Sequence, residues 1–258
     1  MSMGEVVRAE TIGRVLVVTL NRPEARNAIN GEVAQEIEDH LDRLERDQSL
    51  WAGVLTGSPP AFSAGADLKE IAAGRGATLS TTKGGFAGIV ERRRKKPLIA
   101  AVEGAALAGG CEIVLACDLI VAGQSASFGL PEVKRSLVAG AGGLFRLFDR
   151  LPSNIAIEMI LTGNPIKAPV AEQFGLVNRL CGDGNALKSA LNLAEQICEN
   201  APLSVWESLA VTQLYKQSRD AELFKRSNEA LNRVMQSEDL NESLRAFIEK
   251  RRPNWAGK

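Results

Sequence analysis

The sequence predicts an α/β fold, and three observations support it. Short apolar runs rich in β-branched residues recur along the first part of the chain, at residues 12–20, 51–56, 98–102 and 119–122. Segments of helical period and glycine-marked turns lie between them. Past Gly184 the composition shifts and the chain turns almost wholly helical. At 258 residues the chain can bury roughly 70–75% of its unfolded surface, enough for a full core. The shift sets the one boundary expected, between a core over residues 1–199 and a helical region over 200–258.

Residues 5–10 and 12–20 are predicted to form two strands around a turn at Gly13, and Asn21-Arg22-Pro23 breaks the second. Asn30 is placed to cap a helix whose apolar positions Val33, Ile37, Leu41 and Leu44 recur every three or four residues. The strand at 51–56 runs into Gly57-Ser58-Pro59-Pro60 and then AFSAGAD, which places a ligand crevice at a strand end. Small residues there let backbone approach a ligand, and Asp67 can cap the helix that begins DLKEIAA. By itself this is an ordinary capped loop. Residues 74–85 have no apolar period and are expected as a loop, either beside a ligand pocket or plainly on the surface. A helix is expected to run from there toward the basic stretch Arg92–Lys96. That stretch reads first as a solvated helix end and second as a phosphate contact.

Residues 98–132 hold the densest signal. An apolar strand, 98–102, follows Pro97; a small-residue turn, 104–110, leads into a buried helix, 111–117; a second strand, 119–122, and a loop then deliver Phe128-Gly129-Leu130-Pro131-Glu132. A strand that ends in glycines and opens a helix leaves backbone N–H groups free to face a crevice. Such donors suit an oxyanion. Glu112 sits at the start of that helix and Glu132 closes the next loop, both in apolar company. The ordinary alternative is a pair of structural caps or solvated loop acids. Further on, Gly140, Gly142 and Gly143 mark entry into a helix at 144–150. Helix is then expected at 155–161, a turn and short helix at 162–175, and a last strand at 176–180. Helices are expected at 186–199, 203–216, 221–235 and 240–250.

Composition excludes several functions. Lys+Arg and Asp+Glu balance at 31 each, so no broad basic field exists to bind nucleic acid. No 18-residue apolar run is present, and the first ten residues lack a hydrophobic signal core, which predicts a cytoplasmic protein without a membrane partner. The four cysteines, Cys111, Cys117, Cys181 and Cys198, lack metal-ligand spacing and are expected as buried free thiols. No metal site is expected. The single histidine, His40, lies in a polar-faced helix, which argues against a Ser–His or Cys–His nucleophile.

Three stretches taken in order, NRPEARNAIN (21–30), AFSAGADLKEI (61–71) and GAALAGGCEIVLACDLIVA with ASFGLPEV (104–133), resemble the signature of the enoyl-CoA hydratase/isomerase, or crotonase, superfamily. The resemblance runs from about residue 5 to the tail WAGK. It implies a spiral of ββα units with a C-terminal helical oligomerisation region. It also implies that the N–H groups of Ala66 and Gly109 form an oxyanion hole for a thioester carbonyl, with Glu112 and Glu132 as the catalytic acids and bases.

By the same resemblance, Arg26, Ala64, Ala66, Asp67, Leu68, Lys69 and Gly109 are candidate contacts to an acyl-CoA substrate. For Arg26 and Lys69 a plainly solvated side chain is the competing reading. No cofactor is implied beyond the coenzyme A that the substrate carries. The expected reaction is syn addition of water to the C2=C3 bond of a 2-enoyl-CoA. Isomerisation, carnitinyl-CoA-type dehydration and a non-catalytic acyl-CoA-binding role are the alternatives. The sequence departs from the common family pattern at Ser136, where glycine is frequent, at Ala139, where proline is frequent, and at Leu144-Phe145, where Thr-Gln is frequent. A homotrimer or dimer of trimers is implied as well. Leu203, Trp206, Leu209, Ala210, Leu214 and Phe224 give an independent reason, as apolar residues beyond the strand core that would form a patch monomers rarely expose.

Overall fold

The computed structural model describes residues 5–254, so the first four residues and the WAGK tail lie outside it. The chain begins with β1 (Val7–Ile12), β2 (Val15–Leu20) and α1 (Gly31–Arg46), followed by β3 (Ala52–Gly57), β4 (Ala61–Ser63) and α2 (Leu68–Ala72). A hairpin of β5 (Ser80–Thr81) and β6 (Gly85–Phe86) precedes β7 (Leu98–Val102), β8 (Ala105–Leu107), α3 (Gly109–Ala116), β9 (Leu119–Gly123) and β10 (Ser127–Gly129). Then come α4 (Gly143–Arg146), α5 (Ser153–Thr162), β11 (Ile166–Lys167), α6 (Ala168–Gln173) and β12 (Arg179–Cys181). The chain closes on α7 (Ala186–Cys198), α8 (Pro202–Met235) and α9 (Glu238–Ile248).

The larger sheet has the order β1-β2-β3-β7-β9-β12, with β1 antiparallel to β2 and every other pair parallel. The smaller sheet, β11-β10-β8-β4, is parallel except at β11. Strands buried on both faces need no polar alternation, and for that reason β7 reads as an unbroken apolar run while β2 and β3 are each broken only by one threonine, Thr19 and Thr56. Val15, Val17, Val54, Ile99, Ala101 and Val121 point to one face of the larger sheet, where Ala186, Ala190 and Ala194 of α7 meet them. Their spacing of four places the small side chains on one stripe, so the helix lies close to the strands. Leu16, Val18, Leu20, Leu55, Ala100 and Ile120 point the other way, into the main core with α1 and α3. Asn30 caps α1 as expected, its side chain accepting from the Val33 N–H at 2.9 Å, and Val33, Ile37, Leu41 and Leu44 are buried.

Six expectations are corrected. No helix leads to Arg92–Lys96: Ala87 and Gly88 take φ of 55° and 68°, which ends any helical run. Nor is the basic stretch solvated. Arg92, Arg94 and Lys96 point inward, whereas Arg93 and Lys95 are exposed. Arg92 pairs with Asp42 and Arg94 with Asp118 at 2.8 Å, while the Lys96 ammonium donates to the carbonyls of Leu44 and Asp47, both at 2.7 Å. Charge patterning along the sequence does not reveal carboxylates brought in from other elements. Residues 74–85 are not one loop, since a single 3-10 turn (Gly76–Leu79) and the β5–β6 hairpin lie within or at the edge of it. The small-residue turn at 104–110 contains strand β8, and the last strand begins at Arg179, because Leu176 and Val177 are tucked into the core before it. Finally, α8 is one continuous helix of 34 residues where two were expected. The polar run at 216–220 interrupts the apolar pattern but contains no glycine or proline to break the helix.

All four cysteines are free; Cys111 and Cys117 are buried, but Cys181 and Cys198 are only partly so. His40 is half-buried on α1. Among the described residues no helix is long and apolar enough to cross a membrane.

Candidate active site

Two backbone segments meet where β4 and β8 end. After β4 the chain runs through Ala64–Asp67, and after β8 it turns at Ala108 into α3. Glycine is required for their contact. A Cβ on Gly110 would stand 2.3 Å from the Ser63 carbonyl oxygen, and one on Gly65 (φ 86°) would stand 2.6 Å from the Gly109 nitrogen. Ala108 takes φ 51° and ψ −129° at the helix entry, a conformation costing an alanine about 1–3 kcal/mol. The N–H groups of Ala66 and Gly109 have no acceptor among the described residues, although Ile29 bridges both neighbours of Ala66. Asn27, buried with φ 53°, braces this region by donating to the carbonyls of Ser58 and Ala61 at 2.8 and 2.7 Å.

The structure brings Ala64, Ala66, Leu68, Gly109, Glu112 and Glu132 to the wall of one cavity of about 600 Å³, a size suited to a small organic ligand. Glu112 is 4% exposed, on the first turns of α3. Its Oε1 accepts from the Gly143 N–H at 2.9 Å, and the Ala141 backbone adds a second donor. A helix N-terminus favours an ionised carboxyl. Burial outweighs that effect and raises its pKa, with the Gly143 and Ala141 donors and Arg146 opposing. Glu132 opens a 3-10 turn (Pro131–Arg135), and its Oε2 is buried with no hydrogen-bond partner among the described residues. Burial lifts its pKa well above the ordinary value, and the charge of Glu112 adds to the lift. The two carboxyls thus sit in one cavity with Glu112 the better stabilised as an anion.

Arg26, Asp67 and Lys69 do not join that wall. The Asp67 carboxylate is committed to capping α2 through the Lys69 N–H and to an ion pair with Arg22 at 3.2 Å. Lys69 is exposed, and so is Arg26, whose carbonyl accepts from the Ala64 N–H at 3.0 Å. Two groups of wall residues were missed by sequence reasoning. Phe86 presses on the Gly109 Cα, where an added Cβ would lie 2.5 Å from the ring. Asn228, Leu231, Asn232 and Met235 line the cavity from α8. Their i, i+3, i+4, i+7 spacing was a legible face, but nothing in the sequence said what it covers.

The departures from the family pattern lie on this same side. Ser136 is left-handed (φ 52°, ψ 47°), which explains why glycine is frequent there. Replacing Ser136 with glycine should therefore stabilise the protein by ~1 kcal/mol, read as a rise in thermal midpoint of about 2–4 °C. Phe145 packs edge-on against Phe224 of α8, ring centroids 5.0 Å apart.

Comparison with known proteins agrees with this geometry. The family model described as enoyl-CoA hydratase/isomerase matches residues 10–258. The enoyl-CoA hydratase EchA19 of Mycobacterium tuberculosis is 40% identical over 95% of this chain and 94% of its own length. The 2,3-dehydroadipyl-CoA hydratase of Escherichia coli is 38% identical over 95% and 96%. A crystal structure of carnitinyl-CoA hydratase from Mycobacterium avium superposes with a TM-score of 0.92, at 42% identity over 99% of this chain and 100% of that one. The chain belongs to the enoyl-CoA hydratase/isomerase family.

Proposed function

We propose that this member of the enoyl-CoA hydratase/isomerase family is an enoyl-CoA hydratase, adding water reversibly across the C2=C3 bond of a 2-enoyl-CoA thioester. The observation that carries the reading is the pair of buried carboxyls, Glu112 and Glu132, in one cavity with two backbone N–H groups that lack acceptors among the described residues. The thioester carbonyl lies between the Ala66 and Gly109 N–H groups, which stabilise the enolate-like transition state without titrating. Glu112, its anionic form supported by the Gly143 N–H against the burial that raises its pKa, takes a proton from water as its oxygen bonds to C3. Glu132, whose ionisation is penalised more, keeps its proton and delivers it to C2. The chemistry needs no cofactor beyond the CoA of the substrate. Arg26 and Lys69 are exposed beside wall residues Ala64 and Leu68, where they can meet CoA phosphates.

Dehydration of a 3-hydroxyacyl-CoA uses the same residues in reverse, and the likeness to carnitinyl-CoA hydratase favours that direction as the second reading. A purified-protein assay over a panel of 2-enoyl-CoA and 3-hydroxyacyl-CoA thioesters, with product identification, tests both. Thioester binding without turnover of any panel member would instead favour a binding protein.

Stability should carry the signature of the two acids. An acid whose folded pKa is raised contributes stability that is fully present below its unfolded pKa, about 4.3 for glutamate, and is lost as pH rises through the folded value. Both carboxyls are raised, so wild-type stability should fall as pH rises above that point. Glu132→Gln should be the more stable protein by a margin that widens with pH, measured by denaturant unfolding at several pH values. A margin independent of pH would show that Glu132 is not perturbed.

The helical C-terminal region is proposed to assemble copies of the chain into a trimer or dimer of trimers. Trp206 packs inward, its indole N–H donating to the Trp51 carbonyl at 3.2 Å, and Phe224 is buried, so these two do not contribute. Leu203, Val211 and Leu214 remain 69%, 68% and 63% exposed on α8 and supply the apolar stripe. Sedimentation at micromolar concentration should give a mass of at least three chains; a single-chain mass would refute the assembly. The free thiols suit a reducing compartment, and we place the enzyme in the cytoplasm on that ground.

A further inference from the structure

A second, smaller cavity lies where α8 crosses the core, and four guanidinium groups converge on it. Arg92 and Arg94 come from the segment before β7, Arg146 from α4, and Arg150 from the turn that follows. The carboxylates on its wall are Asp118, which is held by Arg94 and the Leu98 N–H, Asp220 of α8, which pairs with Arg146 at 3.1 Å, and Asp149, which is exposed to solvent. Gln213 of α8 completes the wall and reaches toward Asp118. Arg92 has a side chain 1% exposed, and its only carboxylate partner among the described residues, Asp42, stands outside this wall. Its Nε and Nη1, together with Nη1 of Arg146, are buried with no hydrogen-bond partner among the described residues. Arg150 donates to the carbonyls of Cys117 and Asp118 at 2.9 and 3.2 Å.

The donor count decides what fits. A guanidinium has five N–H donors and no acceptor, so the unpartnered nitrogens of Arg92 and Arg146 together present five N–H bonds. A water molecule that accepts from them must also donate two protons. The half-buried carboxylates nearby, Asp118 and Asp220, already accept from Arg94, Leu98, Gln213 and Arg146. A guest that only accepts is better matched: Asp42, Asp118 and Asp220 each already hold one guanidinium, whereas Arg150 has only backbone carbonyls as hydrogen-bond partners among the described residues. Buried charge is tolerated only when paired. The cavity volume is about 70 Å³, several times the roughly 10–15 Å³ that one water needs, which leaves room for a halide or a tetrahedral oxyanion.

We propose that the Arg92–Arg146 cavity is a binding site for a small inorganic anion, halide or oxyanion, separate from the acyl-CoA cavity and clamping α8 to the core. Bound there, the anion bridges the segment before β7 and α4 directly beneath Gln213 and Asp220 of α8. Its effect is on the seating of that helix, so it is measurable without any substrate.

The test is thermal unfolding of the full chain at constant ionic strength, with sodium gluconate replaced stepwise by sodium chloride in one arm and by sodium phosphate in the other. In at least one arm the midpoint should rise saturably, on the order of 5–10 °C at about 100 times the dissociation constant. Arg92→Met keeps the apolar stem and removes the orphaned donors, and it should abolish that dependence. Should Arg92→Met fail to fold, Arg146→Met is measured in its place, and crystals of the wild type soaked in sodium bromide are examined for an anomalous peak between Arg92 and Arg146. A rise in the chloride arm alone identifies a halide site, and one in the phosphate arm alone an oxyanion site. Equal midpoints in all three salts, the same saturable rise in wild type and variants, or bromide-soaked crystals without the peak would overturn the proposal and leave the cavity to water.

Discussion

Glu112→Gln and Glu132→Gln should each lose hydratase turnover by about 10²–10⁴-fold, the usual worth of general acid–base help, while still binding the CoA thioester. Water is a weak nucleophile and C2 a weak proton acceptor, so addition at neutral pH needs both a base on the water and an acid beside C2. Glutamine keeps the size of each side chain and can still accept from the Gly143 N–H, as Glu112 does at 2.9 Å, but it cannot carry the proton. Because the two groups serve one transition state, the double variant should lose far less than the product of the single losses. Steady-state hydration of a good 2-enoyl-CoA, with thioester affinity measured in parallel, checks the prediction. Near wild-type turnover in either single variant would remove that residue from the chemistry.

Gly109→Ala should also be severe, and its cause can be isolated. From sequence alone this exchange looks mild, since alanine is well tolerated at a helix start. In the folded chain the new Cβ would meet the Phe86 ring at 2.5 Å and approach the Gly65 Cα at 3.3 Å. The first distance cannot stand and the second is tight, so either the ring moves or the α3 entry does, and movement of the entry takes the Gly109 N–H with it. Loss of one oxyanion donor of this kind costs about 10²–10³-fold in turnover. The ring is a movable side chain, so Gly109→Ala/Phe86→Ala should recover much of the rate that Gly109→Ala loses. Thioester affinity should change less than turnover in both proteins. Full activity in Gly109→Ala would show that the donor is not used, and a double variant no better than the single would move the fault to the Gly65 backbone.

Local chemistry explains what was legible beforehand. The strand of residues 98–102, the Asn30 cap, the α1 face and the Asp67 cap each depend on residues within one or two turns of each other, where propensity and hydrogen bonding act directly. The ordered motifs likewise pointed to Ala66, Gly109, Glu112 and Glu132, and the structure brings all four to one cavity. The basic run at 92–96 was misread because its partners, Asp42, Leu44 and Asp118, come from α1 and from the turn after α3. Phe86 and the α8 face were missed for the same reason.

The sequence by itself determined the α/β class, because apolar period, caps and glycine positions are properties of contiguous chain, and the resemblance of its ordered motifs to the family's supplied the candidates for the chemistry. Tertiary structure alone decided that Asp67 and Arg26 stand outside the cavity wall, and that α8 closes the cavity with Asn228 and Met235. It also raised both carboxyls' pKa values. Desolvation causes that rise at each of them, and the charge of Glu112 adds to it at Glu132; both effects depend on what the fold packs around a group, not on the residues beside it in the chain.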